Sequence, residues 1–146
     1  MDRTTAVIAV VGAGCLVGTQ APINGTLGRS VGRLPAATVS FAVGLAVLVI
    51  VTAVAGGFGG LSNISGVPWW ALLGGAFGAV YVTAALTTVG TLGAGGVTAA
   101  TIAGQLTASV VIDGLGLLGV ERQPVTVSRI AGIAVLALGV YLIVRD

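Results

Sequence analysis

Of 146 residues, 56% are hydrophobic and 25 are glycine, while only 7% are charged and the mean hydropathy is +1.14; soluble globular chains carry roughly 25% charge, and six Arg with four acids cannot cover a soluble domain of this size. The solvent for most of the chain is therefore lipid, which makes membrane lipid its first expected partner. A net charge of +2 carried by scattered arginines excludes a nucleic-acid surface, and a single Cys15 with no His excludes a disulfide framework and leaves neither a metal nor a cofactor expected.

A hydrocarbon core about 30 Å thick takes about 20 helical residues. Apolar segments of that order occupy residues 5–21, 36–55, 68–88, 92–112 and 124–144. The expected fold is all-α, a single transmembrane domain over residues 1–146 with five transmembrane helices. The first segment follows Arg3 as a leader would. Four further spans, and the lack of an apolar residue three places before Cys15, argue for its retention. After it, Gln20, Pro22 and Asn24 predict either an interfacial bend or a polar continuation of the helix.

The run Gly56, Gly57, Phe58, Gly59, Gly60 predicts a pliable loop, and Pro68 and Pro124 suit the first turns of the third and fifth spans. Trp69, Trp70 and Tyr141 stand near proposed ends, as interfacial anchoring requires. Between spans three and four, Gly90, Gly93, Gly95 and Gly96 predict a tight hairpin or an unwound start to span four, a feature that exposes backbone groups to a substrate in transporters. The pairs Gly14/Gly18 and Gly74/Gly78 have the spacing of close helix contacts.

Five crossings place Arg3, Arg122 and Arg129 on one side and Arg29, Arg33 and Arg145 on the other, three against three. Such a balance gives no preferred insertion and predicts dual topology. Two oppositely inserted copies would form an antiparallel homodimer of ten helices, enough to surround a path and supply an inverted repeat; a dimer of copies inserted the same way is the alternative.

Polar residues inside the spans carry information because an unsatisfied polar group in hydrocarbon costs several kcal/mol. Gln20 and Asn24 form one stripe, and Thr98, Thr101, Gln105 and Ser109 a second; each either pins helices together or lines a solute path. Thr83 and Thr87 form a weaker third, since threonine readily bonds its own helix. Asp113 either ends its helix at the headgroups or serves as a cation or proton site. Glu121 and Arg122 read as a solvated loop pair.

The segments QAPINGTLG (residues 20–28), ATVSFAVG (37–44), WWALLGGAFG (69–78), GQL (104–106) and IDGLGLLG (112–119) stand in an order and spacing that resembles the YdcZ-like short branch of the drug/metabolite transporter superfamily. That resemblance covers nearly the whole chain and implies a bacterial inner-membrane exporter whose polar centre includes Gln20, Asn24, Gly25, Gly104, Gln105 and Asp113. It departs from the pattern at Gly114, where the family commonly has a bulky residue such as His. It also lacks the first-helix glutamate of the small multidrug-resistance relatives. The expected function is secondary transport of a small solute, in the export direction, by alternating access through the homodimer. Gln20, Asn24 and Gln105 orient the solute with hydrogen bonds, Thr101 and Ser109 belong to the same path, and Trp70 or Tyr81 forms an aromatic wall. A non-transporting accessory protein is the alternative from another class, and a passive channel is a further one. An enzyme is not expected, because no activated nucleophile or paired-carboxylate motif occurs.

Overall fold

The computed structural model describes residues 2–145. Its helices are α1 (Arg3–Val31), α2 (Arg33–Val54), α3 (Leu73–Leu115) and α4 (Val127–Val144), with 3-10 helices at Gly57–Gly66 and Trp69–Leu72 between α2 and α3. Four helical segments among the described residues are long and apolar enough to cross a membrane, the third running Trp69–Leu115. Large apolar side chains such as Leu16, Val54 and Val135 remain exposed along them, as lipid contact requires.

Asp2 starts α1. Its carboxylate accepts the backbone N–H of Thr5 at 2.8 Å and the Thr5 hydroxyl at 2.9 Å. These bonds, the backbone one first, hold the Asp2 carboxyl below the usual carboxylate range. The helix then passes through Gln20 to Gly28, so the polar segment is a continuation of the helix, with Pro22 inside it, and helical structure runs on past residue 21. Having no N–H, Pro22 leaves the Gly18 carbonyl without its helical donor. Only Gly32 separates α1 from α2, and its backbone (φ 90°, ψ 157°) is extended with positive φ, a conformation open essentially to glycine. Helix α2 therefore begins at Arg33, ahead of residue 36.

Gly56, with φ 65°, ends α2, and the glycines beyond it wind into a 3-10 helix in place of the expected pliable loop. Pro68 precedes the 3-10 turn of Trp69, and α3 begins only at Leu73. One residue inside α3 is non-helical: Gly93, with φ 66° and ψ 169°. It separates residues 73–92 from 94–115 with no intervening loop, in nearly the same conformation as Gly32. Pro124 lies in an extended approach to α4 and does not open it; the cap is Thr126, whose side chain accepts the N–H of Arg129 at 3.3 Å.

Contacts sort the chain into two compact units. In the unit Ala21–Thr87, the core is Ala36, Ala37, Val82 and Leu86, with Leu27 and Tyr81 packed against it. Gly28 admits the Leu86 side chain and Gly78 the Phe41 ring, with 3.1 Å and 3.3 Å to where a Cβ would stand. Gly14, Gly18 and Gly74 face open space, so of the two spaced glycine pairs only Gly78 makes a close approach.

In the unit Met1–Gln20 with Thr88–Asp146, the second run of α3 lies antiparallel to α4: Gly95 and Gly96 meet Ile143 and Val144 at one end, and Gly114 meets Val125 at the other. A Schellman turn at Gly116 (φ 65°) ends α3. Leu117 N–H donates to the Ile112 carbonyl at 3.1 Å and Gly116 N–H to the Asp113 carbonyl at 3.3 Å.

Candidate functional site

Within the unit built from the start of α1, the second run of α3 and α4, a groove of about 490 Å³ is lined by Gly18, Ala94, Gly95, Thr98, Ala99, Ile102, Leu136 and Ile143. Its origin is local. Glycines at 18 and 95 have no side chain to fill it, and the helix restarts beside it after Gly93. Thr98 is the one lining residue with a polar side chain, and Gly18, whose carbonyl Pro22 cannot serve, stands in the wall.

Helical spacing puts Gln105 and Ser109 on the same face as Thr98 and Ile102, one and two turns beyond the groove. Both are exposed, Gly104 beside them is exposed, and Thr101 is half-buried at the edge of that face. No side-chain hydrogen bond engages Gln105, Ser109 or Gln20 among the described residues, and Gln20 is also exposed. Of the stripe read from the sequence, only Thr98 lines the groove itself.

Asn24, Gly25, Trp70 and Tyr81 belong to the other unit. Asn24 is the one buried polar side chain there, 7% exposed, and none of its amide atoms is both enclosed and unpaired. Gly25 is half-buried, and Trp70 is exposed in its 3-10 turn. Tyr81 packs on the Ala36–Leu86 core, so its ring is a structural element of that unit. Thr83 and Thr87 line a shallow face of about 460 Å³ with Ala79, Val80 and Ala84. Both hydroxyls donate to carbonyls of their own helix, Thr83 to Ala79 and Thr87 to Thr83 and Ala84, each at 2.8 Å.

Asp113 stands at the end of α3 with a partner that the sequence reading did not assign. Its Oδ2 receives Nη1 of Arg129 at 3.3 Å, and Nη2 of the same arginine donates to Gln123 Oε1 at 2.7 Å. Both charged side chains are about one-third exposed. The Asp113 carbonyl also accepts the Gln123 N–H at 2.8 Å. Arg122, expected to pair with Glu121, instead donates from Nε to the Gly114 carbonyl at 2.9 Å. The spacing of 16 between Asp113 and Arg129 carries no sequence signal, since only the antiparallel return of α4 brings them together.

Among the described residues, no three of His, Cys, Asp and Glu cluster as a metal site. No curated protein and no solved structure matches the chain. A family model does: residues 5–142 match DMT_YdcZ, described as "Putative inner membrane exporter, YdcZ". With nearly the whole chain matched and its long apolar helices already evident, the chain belongs to this family of multi-pass inner-membrane proteins, transporters rather than enzymes.

Proposed function

We propose that the chain exports a small solute across the inner membrane by alternating access, as an antiparallel homodimer of five-span subunits. The observation that carries this reading is the groove beside the Gly93 break, with the uncommitted amide of Gln105 one helical turn beyond it on the same face. A 43-residue helix would be about 65 Å long if straight, twice the hydrocarbon thickness, so the glycine break at 93 supports two crossings within α3. Broken helices at a transporter's polar centre are a recurrent way to offer backbone groups to a substrate.

In this reading the apolar lining receives the body of the solute, while the Gly18 carbonyl, Thr98, Gln105 and Ser109 meet its polar groups. Thr101 and Gly104 shape the same face, and Gln20 with Asn24 and Gly25 extends the polar path along α1. Trp70 has an interfacial role. Asp113 acts through its ion pair with Arg129, holding the end of α3 on α4.

The test is flux into liposomes carrying purified protein, with and without a pH gradient. Saturable flux with counterflow is expected. Flux without saturation would replace the carrier with a channel, and no flux of any solute across a broad screen would favour an accessory role. Gln105→Leu keeps the side-chain bulk but removes the amide. The expected outcome is a folded protein with flux reduced at least tenfold; unchanged flux kinetics would remove Gln105 from the path.

A further inference from the structure

The unit Ala21–Thr87 contains Arg29 and Arg33 and not one Asp or Glu; the chain's acids stand at positions 2, 113, 121 and 146. Both arginines flank the one-residue corner at Gly32, Arg29 in the last turn of α1 and Arg33 as the first residue of α2, and both are exposed. The corner is firm. Gly32 N–H donates to the Gly28 carbonyl and Ala36 N–H to the Gly32 carbonyl, each at 3.0 Å, and Leu86 seats against Gly28.

Arg29 is oriented by its neighbours. Its Nη2 donates to Thr26 Oγ1 at 2.9 Å, and that hydroxyl donates onward to the Pro22 carbonyl at 3.0 Å. Arg33 is placed against its own helix, because a cation at an N-terminus faces the positive end of the macrodipole. The first turn of α2 has no acidic residue, and Gly32 has no side chain to cap it. Two arginines and a helix's positive end thus flank one corner, with no carboxylate anywhere in the unit to balance them.

An anion from outside relieves all three. Both α1 and α2 are long and apolar enough to span, so the corner where they meet stands at headgroup depth, where the available anion is a lipid phosphate. Guanidinium forks match phosphate oxygens in paired hydrogen bonds. A zwitterionic headgroup brings its own cation and leaves the corner's two charges unbalanced, whereas an anionic one does not. We infer that the α1–α2 corner is a headgroup site for an anionic phospholipid, its phosphate held between Arg29 and Arg33.

Native mass spectrometry of the purified chain, offered phosphatidylglycerol and phosphatidylcholine, reads this directly. Wild type should retain phosphatidylglycerol preferentially, and R29Q/R33Q should lose about 30-fold of that preference, the value of two surface charges near anionic lipid. R3Q/R145Q removes equal charge elsewhere and should keep the preference. Should the double variant not fold, R29Q and R33Q singly should each lose about fivefold. Undiminished phosphatidylglycerol retention in the corner variants, or an equal loss in R3Q/R145Q, would overturn the site. Protection against thermal unfolding by inorganic phosphate alone, equal to that by the lipid, would overturn the lipid as its occupant.

Discussion

Gly114 stands where the family pattern commonly has a bulky residue, and Val125 Cγ2 lies 2.6 Å from the place its Cβ would take. Next to it, Arg122 donates to the Gly114 carbonyl, so the returning chain covers this residue from two directions. Gly114→His should therefore destabilise the fold by about 1–3 kcal/mol through overpacking, read as a lower melting temperature in detergent; an unchanged melting temperature would mean that the 120–126 segment yields freely. Asp113 and Arg129 are half-buried, between the weak exposed pair and the strong enclosed one, and Arg129 keeps Gln123 when Asp113 is removed. Asp113→Asn is expected to cost about 1 kcal/mol. A double-mutant cycle with Arg129→Gln should show coupling of that order, and no coupling would leave the contact without energetic weight.

At the scale of helices, the chain reverses or breaks twice on a single glycine. Gly32 and Gly93 share positive φ with extended ψ, and in each case helical structure resumes at the next residue. No other residue adopts that conformation without strain. Space does not protect Gly93, since a Cβ there meets nothing within 4 Å, so its substitution isolates the backbone effect. Gly93→Ala should destabilise by about 1–3 kcal/mol while Gly90→Ala, at a helical glycine also facing open space, should be neutral or stabilising. Equal melting temperatures for the two variants would show that residue 93 can rejoin a continuous helix. Four glycines predict a break in this stretch, but composition does not say which of them leaves the helix; the backbone of α3 singles out Gly93.

For the molecule in its membrane, the proposed dual insertion rests on three arginines at either side. Arg122 and Arg129 are both hydrogen-bonded within the chain, which ties them to the segment between α3 and α4 but leaves their charge in the count. A reporter fused to the C-terminus should be detected on both sides of the membrane, and two added arginines beside Arg3 should shift the population to one side. Detection of the wild-type reporter on a single side would remove dual insertion and, with it, the antiparallel dimer.

Membrane residence, helical class and family were legible in the sequence because they depend on sums and patterns: ten charged residues in 146, apolar runs of spanning length, and short motifs in fixed order. The polar stripe was legible in part, since helical spacing alone puts Thr98, Gln105 and Ser109 on one face. Where α1 stops was not, because helix formation overrides one proline when the lost bond is a single carbonyl at Gly18. Nor was the use of each polar group. Tyr81 came to pack, partly buried, against the cluster of Ala36, Ala37, Val82 and Leu86, and Asp113 acquired Arg129 across 16 residues. These outcomes depend on which distant segments return to touch one another, and that depends on how close each glycine allows two helices to come.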